Sequence, residues 1–213
     1  MRRWRIRSDA PVGEIVTEVA TLLDVGSVIA LPTETYYGLA AHYLKRTAHE
    51  RIFALKGREA DKPLPLLVEG ATWARRLAPA APADLERLAA AFWPGPLTLA
   101  VPALAGLPPT IVSREGNVAV RHTSHPVAQA ILQALGAPIT ATSANRSGHP
   151  PVRRAEHILL APGHDLDAIV DAGRTPGRSA STVLLLGSSR ARILRDGAVS
   201  RARLKDVLGG RLL

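Results

Sequence analysis

The sequence predicts an α/β domain built around one large mixed sheet, and three observations carry that prediction. Helix-period and strand-like segments interleave along the whole chain, with no internal repeat and no linker between them. At 213 residues and 46% hydrophobic content the chain can fill one sizeable core, so residues 1–213 read as a single domain. Three late strand-like runs, "AIVDAG", "STVLLL" and "ARILRD", have too little chain between them for parallel crossovers of about a dozen residues, which requires antiparallel or mixed pairing.

Each element has its own signal. Val12, Ile15, Val16, Val19, Leu22 and Leu23 recur at helical spacing, and Gly26 supplies a stop before the strand "SVIALP". "TAHERIFALKGR" is a second helix with Ile52, Phe53 and Leu55 inward, followed by the turn "ADKP" and the strand "LPLLV". Helices then cover Ala71 to Leu77 and Asp84 to Phe92, until Pro94, Gly95 and Pro96 end the pattern and "LTLAV" starts a strand. "LAGLPPTIVSREG" is an irregular excursion. After it come the strand "NVAVRH", the helix "HPVAQAILQALG", the strand "APITATSAN" and the loop "RSGHPPVRRAEH". Past the three late strands, "SRARLKDVLGG" closes as a helix for which Ser200 is the candidate N-cap.

Composition excludes several function classes. With no cysteine there are no disulfides, thiolate metal sites or cysteine nucleophiles, which fits a reducing, cytoplasmic location. The basic start "MRRWRIRSDAPVGEIV" is not followed by an apolar signal region, and no run approaches the roughly 20 apolar residues of a membrane span. A net charge of +9 points to an anionic partner, nucleotide or RNA, with a solvated arginine-rich surface as the plain alternative.

Polar residues gather where strands end: "PTETYYG" after the first strand, "RHTSHP" after "NVAV", and "TSANRSG" after "PIT". In open α/β sheets ligands bind outside strand ends, so these segments are candidates to face one cleft, although each alone is also ordinary turn chemistry. In "LKGR", Lys56 and Arg58 are placed to converge on a polyanion as exposed cleft residues, the lysine as a mobile point charge and the arginine as a bidentate fork. There is no "GxxxxGK[ST]" or "GxGxxG" phosphate loop and no "HExxH" metal pattern. His122 and His125 lack a third ligand, and Ser143 sits outside a "GxSxG" elbow, which makes it a hydroxyl donor rather than an acyl-transfer nucleophile.

In order and spacing, "PTETYYGL", "LKGREADKPLPLLV", "FWPGPLTLAVP", "NVAVRHTSHPVAQAIL", "TATSANRSGHPP", "STVLLL" and "ILRDGAVS" resemble the YrdC-like threonylcarbamoyl-AMP synthases over about Val28 to Ser200. The family's paired signature, "KxR" followed by "SxN", is present as Lys56, Arg58, Ser143 and Asn145. The resemblance implies a single YrdC-like domain, a twisted mixed sheet flanked by helices with a large basic cleft, in the short form without an extra C-terminal domain. It implies a nucleotidyltransferase that makes threonylcarbamoyl-AMP and pyrophosphate from L-threonine, bicarbonate and ATP. The product would serve tRNA N6-threonylcarbamoyladenosine synthesis, through downstream tRNA threonylcarbamoyl-transferase proteins. Mg2+ would accompany ATP, bridging phosphate oxygens and needing few protein ligands.

By the same resemblance Lys56 and Arg58 are catalytic and hold the phosphates, with Ser143, Asn145 and Arg195 completing the ATP site. Thr33, Arg121 and Ser181 match positions that bind threonine. Tyr36 and Tyr37 are either cleft or packing residues, and Glu34 either orients its neighbours or assists a metal. Two positions depart or stand apart: Leu67 lies where some relatives place a threonine-contacting histidine, and Asn117 where some touch ATP. The rival readings are an RNA-binding module acting through the basic surface, and a carbamoyl-transfer domain of related fold.

Overall fold

The computed structural model describes residues 1–6, 12–57, 62–158 and 166–213. Its strands pair into two mixed sheets, where one was expected. The first holds β1 (Arg2–Arg5), β2 (Ile29–Leu31), β3 (Gly38–Ala40), β8 (Thr142–Ser143) and β9 (Ala168–Asp171), in the spatial order β1-β9-β2-β3-β8. The second holds β4 (Leu66–Leu67), β5 (Leu97–Pro102), β6 (Asn117–Arg121), β7 (Ile139–Thr140), β10 (Thr182–Leu186) and β11 (Ala191–Arg195), ordered β11-β10-β5-β6-β4-β7.

The division has a local cause in the run "PITATS". Ile139 and Thr140 pair antiparallel with β4, whereas Thr142 and Ser143 pair antiparallel with β3. Ala141 sits between the two ladders and donates its N–H to Pro65 O at 2.8 Å. The Thr140 hydroxyl accepts the Ala41 N–H at 3.0 Å, so a threonine side chain takes up a backbone donor that the break in the ladder would leave unpaired. One strand-like sequence therefore bridges two sheets. The late strands divide in the same way: β9 runs parallel to β1 and β2 in the first sheet, while β10 pairs parallel with β5 and antiparallel with β11 in the second.

Six helices lie among the described residues: α1 (Val12–Asp24), α2 (Arg46–Lys56), α3 (Gly70–Leu77), α4 (Asp84–Phe92), α5 (Pro126–Leu135) and α6 (Arg201–Leu208). The apolar stripe of α1 buries Val16, Val19 and Leu23 with Val127, Ala128, Ile131 and Leu132 of α5, in one core cluster. Each of the Val, Leu and Ile side chains contributes about 1.5–3 kcal/mol on burial. A second, larger cluster joins Ile52 and Phe53 of α2 to Leu85 and Leu88 of α4 and to the inner faces of β5, β6 and β10. The α2 helix ends at Lys56, two residues before the expected Arg58, because Gly57 adopts the left-handed conformation (φ 55°) and returns its N–H to Ala54 O. Ser200 caps α6, its hydroxyl accepting the Arg203 N–H at 3.4 Å. Among the described residues no helix is long and apolar enough to cross a membrane.

Candidate active site between the two sheets

A cavity of about 480 Å³ opens between the sheets. Its floor is a row of side chains running across the second sheet. Val183 on β10 is in register with Thr98 on β5, and Leu67 on β4 with Arg121 on β6. Leu99 lies opposite Val120, which places Thr98 beside Arg121. Arg195 on β11 completes the row opposite Val183.

Arg195 reaches that face only through a β-bulge. Leu184 pairs with Ile193, but the next residue of β10, Val183, pairs with Arg195, leaving Leu194 as the extra residue. Thr182, Leu184 and Leu186 point into the core, so an unbroken ladder would turn Arg195 toward that side as well. The bulge reverses the alternation and aims Arg195 into the cavity. Its guanidinium then donates to Ser181 O at 2.9 and 3.1 Å and to Ser181 Oγ at 2.9 Å, and Ser181 Oγ lies 2.9 Å from Thr98 Oγ1.

Arg121 is held from behind. Its side chain is only 8% exposed and pairs through Nη1 with Glu34 Oε1, while Thr123 donates its hydroxyl to Glu34 Oε2. Nη1 also donates to Thr35 Oγ1 at 3.3 Å. The remaining edge of the fork, Nε and Nη2, has no hydrogen-bond partner among the described residues. Burial pulls the Arg121 pKa down and the Glu34 carboxylate pushes it back up; Arg195 is lowered by burial and then by the nearby Arg121 charge. Both remain cations at neutral pH.

The "PTETYYG" turn is self-closing. Thr33 Oγ1 donates to Tyr36 O at 2.7 Å and accepts the N–H groups of Thr35 and Tyr36, each at 3.2 Å. Thr33 lines the cavity, but its hydroxyl is spent on the turn. Tyr37 is fully buried and donates to Gly173 O at 2.7 Å, which gives it a packing role; Tyr36 lines the cavity with its hydroxyl on Arg178 O at 3.3 Å. The second loop, "GRTPGRS", seals this turn: Thr175 Oγ1 donates to Thr35 O at 3.1 Å, and a Cβ at Gly177 would overlap the Thr35 backbone.

At the other end, Lys56 comes from the last turn of α2. It is 3% exposed, where an exposed cleft residue was expected, because its ammonium reaches inward to Ser143 O and to Asn145 O, the latter at 2.8 Å. Asn145 Nδ2 donates to Arg146 O and His149 O, whereas its buried Oδ1 has no partner among the described residues. Arg58 lies outside the described residues. The remaining sequence-derived site residues, Thr33, Lys56, Arg121, Ser143, Asn145, Ser181 and Arg195, all line this one cavity. Asn117 does not; it sits at the far end of β6 opposite Pro102.

Sequence reasoning missed Thr98, whose signal was a lone hydroxyl within the apolar strand "LTLAV". It also left open the role of Glu34, which the structure pairs with Arg121 and Thr123. Among the described residues no cluster of three histidine or carboxylate groups is close enough to hold a metal, and no cavity serine is hydrogen-bonded to a histidine. Among the described residues the lysine and arginine side chains on the lining are Lys56, Arg121 and Arg195, and no carboxylate lines it.

These features define an α/β protein whose interior cavity, with Lys56, Arg121 and Arg195 on its lining, suits small anionic molecules. The chain belongs to the Sua5/YciO/YrdC family, whose model, described as "Telomere recombination", matches residues 21–197. It is 38% identical over 209 residues to the threonylcarbamoyl-AMP synthase of Pyrococcus abyssi, covering 98% of this chain and 58% of that protein. It is 37% identical over 199 residues to the Bacillus subtilis threonylcarbamoyl-AMP synthase, covering 91% and 56% respectively. The chain thus spans little more than half the length of these two relatives. The crystal structure of P. abyssi Sua5 complexed with L-threonine superposes with a TM-score of 0.89 at 34% identity, over 100% of this chain and 62% of that one.

Proposed function

We propose that the protein is an L-threonylcarbamoyladenylate synthase, with residues 1–213 acting as one unit. The observation that carries this reading is Arg121: a buried guanidinium with one edge anchored and the other open to a cavity that also holds Lys56 and Arg195. An open arginine fork suits an amino-acid carboxylate, and the flanking cations suit a triphosphate. The relatives' names and the L-threonine complex of the P. abyssi protein support threonine and ATP as the ligands.

The threonine amine first takes up bicarbonate with loss of water, giving a carbamate. A carbamate oxygen then forms a bond to the α-phosphorus of ATP as the bond to pyrophosphate breaks, leaving threonylcarbamoyl-AMP. Arg121 orients the amino acid, with Ser181 and the Thr33 turn shaping its site. Lys56 and Arg195, with Arg58 by resemblance, stabilise charge on the phosphates, while Ser143 and the unpartnered Asn145 Oδ1 hydrogen-bond the nucleotide. Both oxygens of Glu34 are occupied, which fits a Mg2+ carried in on phosphate oxygens, where it would neutralise triphosphate charge.

The product, a mixed anhydride, needs a nucleophilic acceptor, and a tRNA adenosine served by a transferase protein fills that role. RNA binding would draw on the +9 net charge. The test is pyrophosphate release from ATP and Mg2+ with bicarbonate and L-threonine omitted in turn. Release that requires both supports the synthase. Turnover that ignores both sinks it, and salt-dependent RNA affinity without turnover would favour the binding module.

A further inference from the structure

We propose that Glu34 is a positioning residue, whose carboxylate, pinned by Thr123, holds Arg121 so that Nε and Nη2 face an α-amino-acid carboxylate in the cavity. The inference rests on the synthase reading and deepens its amino-acid subsite. Glu34 is 11% exposed and does not line the cavity, and both its oxygens are occupied, one by Arg121 and one by Thr123. A carboxylate so placed has both oxygens committed to protein partners rather than open to the cavity.

Its anchor is rigid. Thr123 is fully buried, its hydroxyl accepts the His125 N–H at 3.2 Å, and its carbonyl accepts from Gln129 at 3.0 Å on the first turns of α5. Thr35 accepts a further hydrogen bond from Nη1. The guanidinium plane is therefore fixed by the "PTETYYG" turn on one side and the start of α5 on the other, and only its far edge is left for a ligand.

Two physical effects oppose each other when the Glu34 charge is removed. Loss of a negative group beside a buried arginine strengthens attraction for any anion, whereas loss of the pin lets the fork rotate out of alignment with a carboxylate. Two-point recognition depends on alignment, and the general gain in attraction is shared by threonine and ATP alike. Loss of alignment dominates, and it is specific to threonine.

The experiment measures pyrophosphate release by the full chain with ATP, Mg2+ and bicarbonate, varying L-threonine and then ATP. Glu34→Gln, which keeps the shape and loses the charge, should raise the KM for threonine about tenfold while the KM for ATP stays within about twofold. Thr123→Val, which frees one Glu34 oxygen, should move the threonine KM about threefold in the same direction, and Glu34→Asp should restore part of the loss. A purely structural role would shift both KM values and the melting temperature together, and that result overturns the proposal. So does a lowered or unchanged threonine KM in Glu34→Gln, which would make Glu34 a competing counter-ion or a bystander. If Glu34→Gln does not fold, Thr123→Val decides by the same criteria. Wild-type protein without threonine-dependent release removes the synthase reading and this assignment together; a threonine-dependent wild type with unaltered variants removes the assignment alone.

Discussion

The two cationic ends of the cavity are built by different means. Arg121 stands on a strand, paired with the nearly buried carboxylate of Glu34 and bonded to the Thr35 hydroxyl, with Thr123 holding Glu34 in turn, so its position is set by side chains. Lys56 stands at a helix end and is held by the main-chain carbonyls of Ser143 and Asn145, so its position is set by the fold of a loop. An end fixed by charged side chains is specific and fragile, because removing one partner strands the other. An end held through backbone carbonyls loses a charged donor when its lysine is removed, and the carbonyls themselves carry no net charge.

Arg121→Ala tests that contrast with the largest effect. It leaves Glu34 nearly buried without its cation, a change that costs about 3–5 kcal/mol in comparable pairs. Urea unfolding should show that loss, and threonine dependence of pyrophosphate release should weaken more than ATP dependence. Stability within error of the parent would mean that Glu34 reaches solvent, and the contrast between the two ends would fail.

Lys56→Ala should be milder in stability and severe in activity. Two carbonyls lose a charged donor, for about 1–3 kcal/mol, while pyrophosphate release falls by roughly 100-fold or more. Lys56 is 3% exposed, where an exposed cleft residue was expected, so its removal costs stability as well as activity. Near-normal turnover in folded Lys56→Ala would sink the phosphate assignment.

The same contrast explains how far the sequence could be read. Lys56, Ser143 and Asn145 were grouped through the family resemblance, whose paired signature is carried by the short motifs "LKGR" and "TSAN". Arg121 was found through a similar motif, but its link to Glu34 spans 87 residues and has no local pattern. The α1 and α5 stripes were legible because burial imposes a helical period; β1 was missed because "RRWR" shows no alternation and pairs through its backbone with β9. The second sheet was hidden for another reason. A two-residue strand such as β7 has no periodicity to detect, and only the register shows that "PITATS" changes partners at Ala141.

Gly177→Ala tests the seal on the Arg121 end without touching a charge. A Cβ there overlaps the Thr35 backbone, so either the "GRTPGRS" loop or the Thr33 turn must move. Overpacking of this kind costs about 1–3 kcal/mol. The displacement should raise the KM for threonine more than that for ATP. Equal changes in both would show that the loop supports the whole cavity rather than one end of it.

The smallest expected effect is an acid sensitivity shared by both ends. His49 on α2 is fully buried between Thr110 Oγ1 at 2.7 Å and His42 O at 3.0 Å, an arrangement that holds the helix bearing Lys56. Behind Arg121, His122 and His125 lie in the field of Glu34. Burial lowers the pKa of His42, His49, His122 and His125 below the ordinary histidine value, outweighing the carboxylates nearby. The unfolded chain therefore takes up protons that the folded one resists. Their stabilising contribution is present in full above about pH 6.5 and is lost as the pH falls through the depressed folded values. Urea midpoints should drop between pH 7.5 and pH 5, and His49→Gln should show a shallower drop because one of the resisting groups is gone. A midpoint that rises on acidification would mean that these rings gain protons in the folded state, with the Glu34 charge overriding burial at the Arg121 end.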